Sequence, residues 1–251
     1  MSSTELTSYG ANALAELKAW QKQMQRKPSL LNRMSKNAQT KLNKLLPEKV
    51  HSAITAVIKQ MVRSVIYGAE LITSKPLQHA SLSIREFKVL EKINFYKTTA
   101  AAEGGITGAG GILLGLADFP LLLALKIKLL FEIAALYGFP TVDYKERIYM
   151  LYIFQLAFSS QQHRRNTYQK MINWSEQCRN LPGDIHEFDW LTFQQEYRDY
   201  IDLAKLAQMI PIIGAPVGVV VNYRLIAKLG KTAMNAYRMR LADAGENLDH
   251  T

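Results

Sequence analysis

The stretch that most restricts how this chain can fold runs from Glu103 to Pro120 and reads EGGITGAGGILLGLADFP. Six glycines fall within the twelve residues from Gly104 to Gly115. In a helix interior each glycine costs about 1 kcal/mol relative to alanine. A helix survives that only where another backbone packs very closely against it. Gly104, Gly108, Gly111 and Gly115 are spaced four, three and four apart, which on one helix forms a single stripe. Small residues at such spacing let helix axes approach, as they do in membrane helix pairs. From Gly104 to Leu125 the only charge is Asp118. That length could span a bilayer, but Pro120 removes a backbone donor and argues against one straight span. Asp118 then reads as the N-cap of a following helix with Pro120 in its first turn, and the two helices are expected to meet at Leu116–Phe119 as a hairpin. Two placements stay open: a hairpin buried in a soluble core, and one that dips into a membrane or lines a lipid cavity. A phosphate-cradling loop lacks its lysine-serine pair and its preceding strand.

A second segment, Ile210–Arg224, repeats the chemistry. Gly214 and Gly218 lie four apart and Asn222 continues their face, within a run uncharged from Ile210 to Val221. It is a natural packing partner for the first stripe. Asn222 in such an apolar interface must find a hydrogen bond, and Asp118 and Glu103 are the expected partners. Beyond it, Arg224, Lys228, Lys231, Arg238 and Arg240 form a basic flank, which reads either as a solvated face or as contacts to lipid phosphates.

The rest of the chain is read as helical. No alternation of period two is sustained, so no sheet is expected. Helices are predicted at about 49–72, 83–102, 119–137, 142–178, 190–208 and 216–242. Thr141 is placed as the N-cap of the fourth, with Asp143 in its first turn. Leu181-Pro182-Gly183-Asp184 is read as a turn. In front, Leu14, Leu17, Trp20 and Met24 recur at helical spacing. The first fifty residues carry nine Lys/Arg against three Glu. This arm either packs on the body and shows its lysines to water, or lies on an anionic membrane with Trp20 at the interface. The expected organisation is an N-terminal arm over 1–48, a helical domain over 49–242 and a tail over 243–251. The fold class is all-α, a compact multi-helix bundle centred on two glycine-striped helices.

The net charge of +10 points to acidic partners. Nucleic acid ranks below membrane because no recognition motif is present and the most distinctive segments are apolar. The single cysteine, Cys178, precludes an internal disulfide, and the N-terminus lacks the pattern of a signal peptide. No cofactor or metal is expected. The one Glu-x-x-His pair, Glu48 and His51, has no second pair to complete a helical-bundle metal site. Ser159 and His163 lie one turn apart on the expected helix but have no oxyanion hole. Glu132 is expected to pair with Lys128. Lys126 and Lys128 point in different directions, so one must leave the buried face, and Lys126 is a candidate to end at a lipid headgroup with Arg224, Lys228 and Lys231.

AAAEGGITGAGGILLGLADFPLLLALKIKLLFEIAALYGF, then DYKERIYMLYIFQLA, and later FQQEYRDYIDLAKLAQMIPIIGAPVGVVVNYRLIAKLGKTAMNAYRMR resemble the EcsC family of bacterial proteins over about residues 50–242. The shared pattern is an acid before the glycine stripe, Asp-x-Pro after it, Tyr137-Gly138 at the next helix end, and Pro-x-x-Gly-x-x-x-Gly-x-x-x-Asn. The resemblance implies a bacterial, helical protein tied to secretion or the cell envelope, and picks out Glu103, Asp118 and Asn222 as polar core residues. The expected function is a non-enzymatic, membrane-associated or lipid-interacting protein, cytoplasmic and peripheral to or partly inserted in the inner membrane, with an envelope protein as a further candidate partner. The rivals are a soluble hydrolase-like enzyme using Glu103 and Asp118, and a soluble partner-binding protein.

Overall fold

A computed structural model of the chain describes residues 3–27, 48–67, 75–108, 111–159, 161–187, 189 and 214–245. Within these, side chains are described except at 3–8, 48–51, 54, 103–118, 161–162 and 214–218. Eight α-helices account for nearly all of it: α1 (Ser3–Gln25), α2 (Glu48–Tyr67), α3 (Leu82–Gly108), α4 (Gly111–Leu136), α5 (Tyr144–Phe158), α6 (Gln161–Met171), α7 (Trp174–Gln177) and α8 (Gly214–Asp243). Among the described residues no sheet forms, as the absence of period-two alternation implies. The helix expected at 190–208 lies outside the described residues.

The centre is a layer made by α3, α4 and α8. The most extensive contact is between α8 and α3; α4 packs along α3 and also touches α8. Gly230 makes the α3–α8 approach close: a Cβ there would stand 2.5 Å from Ile93 Cδ1. Around this layer, α2 buries Ile58, Met61, Val62, Val65 and Ile66, and α5 buries nearly its whole length. The amphipathic reading of α1 also holds. Ala13, Leu17, Trp20 and Met24 are buried in the common core, and Trp20 meets Tyr168 edge-on at 5.7 Å. The apolar face of this helix is therefore covered by protein, which takes Trp20 away from a membrane interface.

Three boundaries differ from the sequence reading. In the glycine segment α3 runs to Gly108 and α4 opens at Gly111, so Leu116–Phe119, the expected meeting point, lies inside α4. Asp118 is thus in the interior of α4, not an N-cap, and Pro120 sits within the same helix on its exposed side. Gly104 and Gly108 end α3 while Gly111 and Gly115 open α4, so the four are divided between two helices. The expected helix at 142–178 is three helices. Ser159 closes α5 in an extended conformation, and Asn173 takes a left-handed one with φ of 52°. Its N-cap is Asp143, whose carboxylate accepts from the Lys145 N–H at 2.9 Å.

Gly138 ends α4 as its position after Tyr137 suggests. Its φ of +91° is open to glycine at little cost, and the Phe139 N–H bonds back to the Ala134 carbonyl at 3.0 Å. Arg85 then closes this helix end. Its Nη1 donates to the carbonyls of Leu77 and Leu136, and its Nε to that of Ala80. A cation on the last carbonyls of a helix also complements its dipole.

Candidate functional site

Two kinds of buried polar group occupy the interior. The first kind is fully paired. Glu86 on α3 has no exposed surface, and its carboxylate receives both Nε and Nη2 of Arg238 from α8 at 2.6 Å. The hydroxyls of Tyr9 and Tyr137 donate to the same carboxylate at 2.6 and 2.8 Å. Arg238 Nη1 continues to Glu16 on α1 at 2.9 Å. Burial opposes the charge on Arg238, but the bidentate Glu86 outweighs it and raises the guanidinium further above its ordinary range. A second pair lies nearby. Glu146 on α5 accepts from the Tyr237 hydroxyl at 2.8 Å and from Arg240, whose guanidinium also covers the Phe139 ring. Burial raises the Glu146 carboxyl despite Arg240 beside it. Tyr237 stacks between Tyr137 and Phe139, which ties the two clusters into one block.

The second kind has no charged or side-chain partner. Asn222 on α8 has no exposed surface, and neither its Oδ1 nor its Nδ2 has a hydrogen-bond partner. Lys126 on α4 is equally buried, and Nζ donates to the carbonyl of Leu122 on its own helix at 3.2 Å. Burial pushes the Lys126 ammonium down to about 7. A buried amide left without partners costs about 1–3 kcal/mol, and a buried ammonium with no counter-charge carries a desolvation cost of its own.

Helix register brings these two groups to one level. Along α3 the Glu86–Arg238, Ile93–Gly230 and Lys97–Tyr223 contacts show α8 running antiparallel. Glu86–Tyr137 and Tyr96–Glu132 show the same for α4. Carried to the far end, both registers place Asn222 and Lys126 beside the turn of α3 from Thr98 to Ala102. Each residue also stands in an inward seam. Lys126 follows Leu122 and precedes Leu129, Leu130 and Ile133, and Asn222 precedes Ile226, Leu229 and Ala233, all of them fully buried. A lysine side chain leans toward the N-terminus of its helix, and the bond to Leu122 shows that Lys126 does so.

The sequence-expected residues therefore separate. Asn222 is in the core as expected, but it is not bonded to Glu103 or Asp118, whose side chains lie outside the described residues. Lys126 does not end at a headgroup, because it is sealed in the core; the lysine that leaves the buried face is Lys128. Arg224, Lys228 and Lys231 are exposed on α8. Arg238 and Arg240, assigned to the same basic flank, turn inward to Glu86 and Glu146. Glu132 pairs with Lys92 of α3 at 2.9 Å, not with Lys128. Ser159 and His163 are separated by the break between α5 and α6. The helix-packing role given to Gly104, Gly108, Gly111, Gly115, Gly214 and Gly218 falls on side-chain surroundings outside the described residues, whereas Gly230, absent from that set, is the close-approach glycine on view. Among the described residues no group of three or more His, Cys, Asp or Glu is placed to hold a metal ion.

Fold and site together define an all-α protein with a clamped ionic cluster at one end of its central layer and an unpaired polar level at the other. The chain belongs to the EcsC protein family, which it matches over residues 11–241, so the match begins inside α1. It is 44% identical over 230 residues to the protein EcsC of Bacillus subtilis (strain 168), covering 91% of this chain and 94% of that protein. It is 25% identical over 250 residues to the uncharacterized protein YdbA of the same organism, covering 90% of each. No solved structure matches the chain.

Proposed function

We propose that this protein is a non-enzymatic, lipid-interacting member of its family that docks on the anionic inner face of the bacterial cytoplasmic membrane in support of secretion or envelope processes. The observation that carries this reading is the outer face of α3. Ile84, Phe87, Leu90 and Phe95 are all exposed, Phe87 by 64% and Phe95 by 60%. Lys88 and Lys92 lie along one side of that stripe and Lys97 along the other, and Glu91 is the one exposed acid between Leu82 and Ala100. Lys97 lies over the Tyr223 ring at 4.4 Å, which joins this face to the exposed Arg224, Lys228 and Lys231 of α8. Large apolar side chains rimmed by lysines suit the headgroup boundary of an anionic leaflet. Among the described residues no helix is long and apolar enough to cross a membrane, so the docking is peripheral. The exposed lysines of α1 add to the charge but not to the apolar contact.

The test is sedimentation of the purified protein with vesicles of phosphatidylglycerol and with vesicles of phosphatidylcholine. Binding is expected to the first alone and to fall with salt. Phe87→Ser with Phe95→Ser should weaken it at least about tenfold, roughly 1.4 kcal/mol, with the melting temperature unchanged. A protein that ignores anionic vesicles at low salt refutes the reading.

A further inference from the structure

We propose that Lys126 and Asn222 form an interior binding site for the carboxylate end of a long-chain fatty acid. The starting point is unmet bonding capacity. Buried polar groups in folded proteins are nearly always hydrogen-bonded, and an exception calls for a ligand, an ion or water. Here one full exception, an amide with neither end bonded, stands near a sealed ammonium whose bond goes to a carbonyl of its own helix and which meets no counter-charge. An apolar pair of residues at these positions would pack the two seams with no such cost.

The chemistry of the pair selects the ligand. Lys126 supplies the positive charge and Asn222 supplies two N–H donors, which together match the two oxygens of a carboxylate. A phosphate dianion would bring twice the charge to one buried cation, and desolvating it would exceed what that cation returns. The fully buried neighbours of both residues along their helix seams are aliphatic, Leu122, Leu130, Ile226 and Leu229 among them, which suits an alkyl chain and not a small hydrophilic acid. The surface at this same level is apolar too. Leu121 of α4 and Val220 and Tyr223 of α8 are each more than two-fifths exposed there. An alkyl chain running outward from a carboxylate held at Lys126 would meet apolar side chains from the core to this surface.

Tyr223 borders both this site and the membrane-docking face of α3, but the buried pair shares no residue with that face and neither requires the other. The experiment is a thermal-shift and calorimetric titration of the purified, delipidated full chain with dodecanoate below its micelle concentration. Acetate, chloride and dodecanol are titrated alongside at the same concentrations. Dodecanoate is expected to bind at one per chain and to raise the melting temperature, and the other three are expected to leave it unmoved. Lys126→Met and Asn222→Leu should fold, melt at or above the wild-type temperature, and bind dodecanoate at least tenfold more weakly. Lys128→Met, on the exposed side of the same helix, should bind as the wild type does. No binding by the wild type, or undiminished binding by Lys126→Met, overturns the site. An equal response to chloride or acetate reduces it to a small-anion site, and an equal response to dodecanol removes the carboxylate from the argument; either result also overturns the proposal. Vesicle sedimentation of Lys126→Met keeps the two ideas apart: it should match the wild type whatever dodecanoate does.

Discussion

Replacing Lys126 by methionine should stabilise the ligand-free protein, and by an amount that depends on pH. Methionine has nearly the length and bulk of lysine and no polar atom to satisfy, so the seam between Leu122 and Ile133 can remain filled. The gain follows from linkage. Burial lowers the Lys126 ammonium from the ordinary 10.5 to about 7. Between those values the unfolded chain holds a proton that the folded chain has released, so wild-type stability rises with pH across that window. Below pH 7 the lysine is charged in both states and the full cost of burying it is present. At about 1.4 kcal/mol per pKa unit this comes to roughly 5 kcal/mol. Above about pH 10.5 it is neutral in both states and the cost is gone. Lys126→Met should therefore exceed the wild type by roughly 5 kcal/mol at pH 6 and by about 2 kcal/mol at pH 9, and should converge with it near pH 11. Chemical denaturation of both proteins at several pH values measures this, with the slope of each transition compared to confirm the same unfolding. A difference that is constant from pH 6 to pH 10, or a variant less stable than the wild type at pH 6, refutes the reasoning. Either result would mean that Nζ reaches water or an unseen counter-charge.

Three other changes probe the rest of the core. Arg238→Met strands the Glu86 carboxylate with two tyrosine hydroxyls and should cost about 3–5 kcal/mol, whereas adding Glu86→Leu to it should recover most of that loss; thermal melts of the single and double variants decide this. Gly230→Ala improves helix propensity by about 1 kcal/mol but drives a Cβ into Ile93, so a net loss of about 1–2 kcal/mol is expected. In an Ile93→Ala background the same change should become neutral or stabilising, and an additive double-mutant cycle would refute the contact. Gly138→Ala strains a residue at φ +91° and crowds Arg85 Nη1 at 2.7 Å, so a loss of about 2 kcal/mol is expected by denaturant titration.

What the sequence disclosed, and what it withheld, divides by the range of the interaction. The helical class, the core faces of α1 and α2, and the Gly138 stop all follow from neighbours three or four positions apart or from one residue's backbone freedom. The pairing of charges does not. Arg238 and Glu86 are separated by 152 positions, and nothing local marks Arg238 as different from Lys231, which stays on the surface. The run from Arg224 to Arg240 therefore reads as one basic flank, whereas Arg224, Lys228 and Lys231 are exposed and Arg238 and Arg240 are drawn inward by Glu86 and Glu146. Glu132 shows the same error in reverse: Lys128 was available one turn away, but Lys92 and Tyr96 of α3 are the groups its carboxylate meets. The glycine segment misled for a different reason. Its glycine spacing continues from α3 into α4, and Asp118, which reads as a cap, lies inside α4.

The two polar ends of the central layer make opposite statements about what the fold preserves. At the Glu86 end, α1, α3, the end of α4 and α8 are joined by charges and hydroxyls that satisfy one another. A buried pair of this kind contributes little net stability, but it penalises any shift in register between the helices. At the Lys126 end, α4 carries a sealed lysine bonded only to its own helix and α8 an asparagine with no hydrogen bond, toward the glycine-rich helix ends at 103–108, 111–115 and 214–218. A lysine and an asparagine that are costly where they stand, held in register by a clamp along the same helices, are the arrangement expected of a site kept ready for a ligand and not of a core selected only to fold.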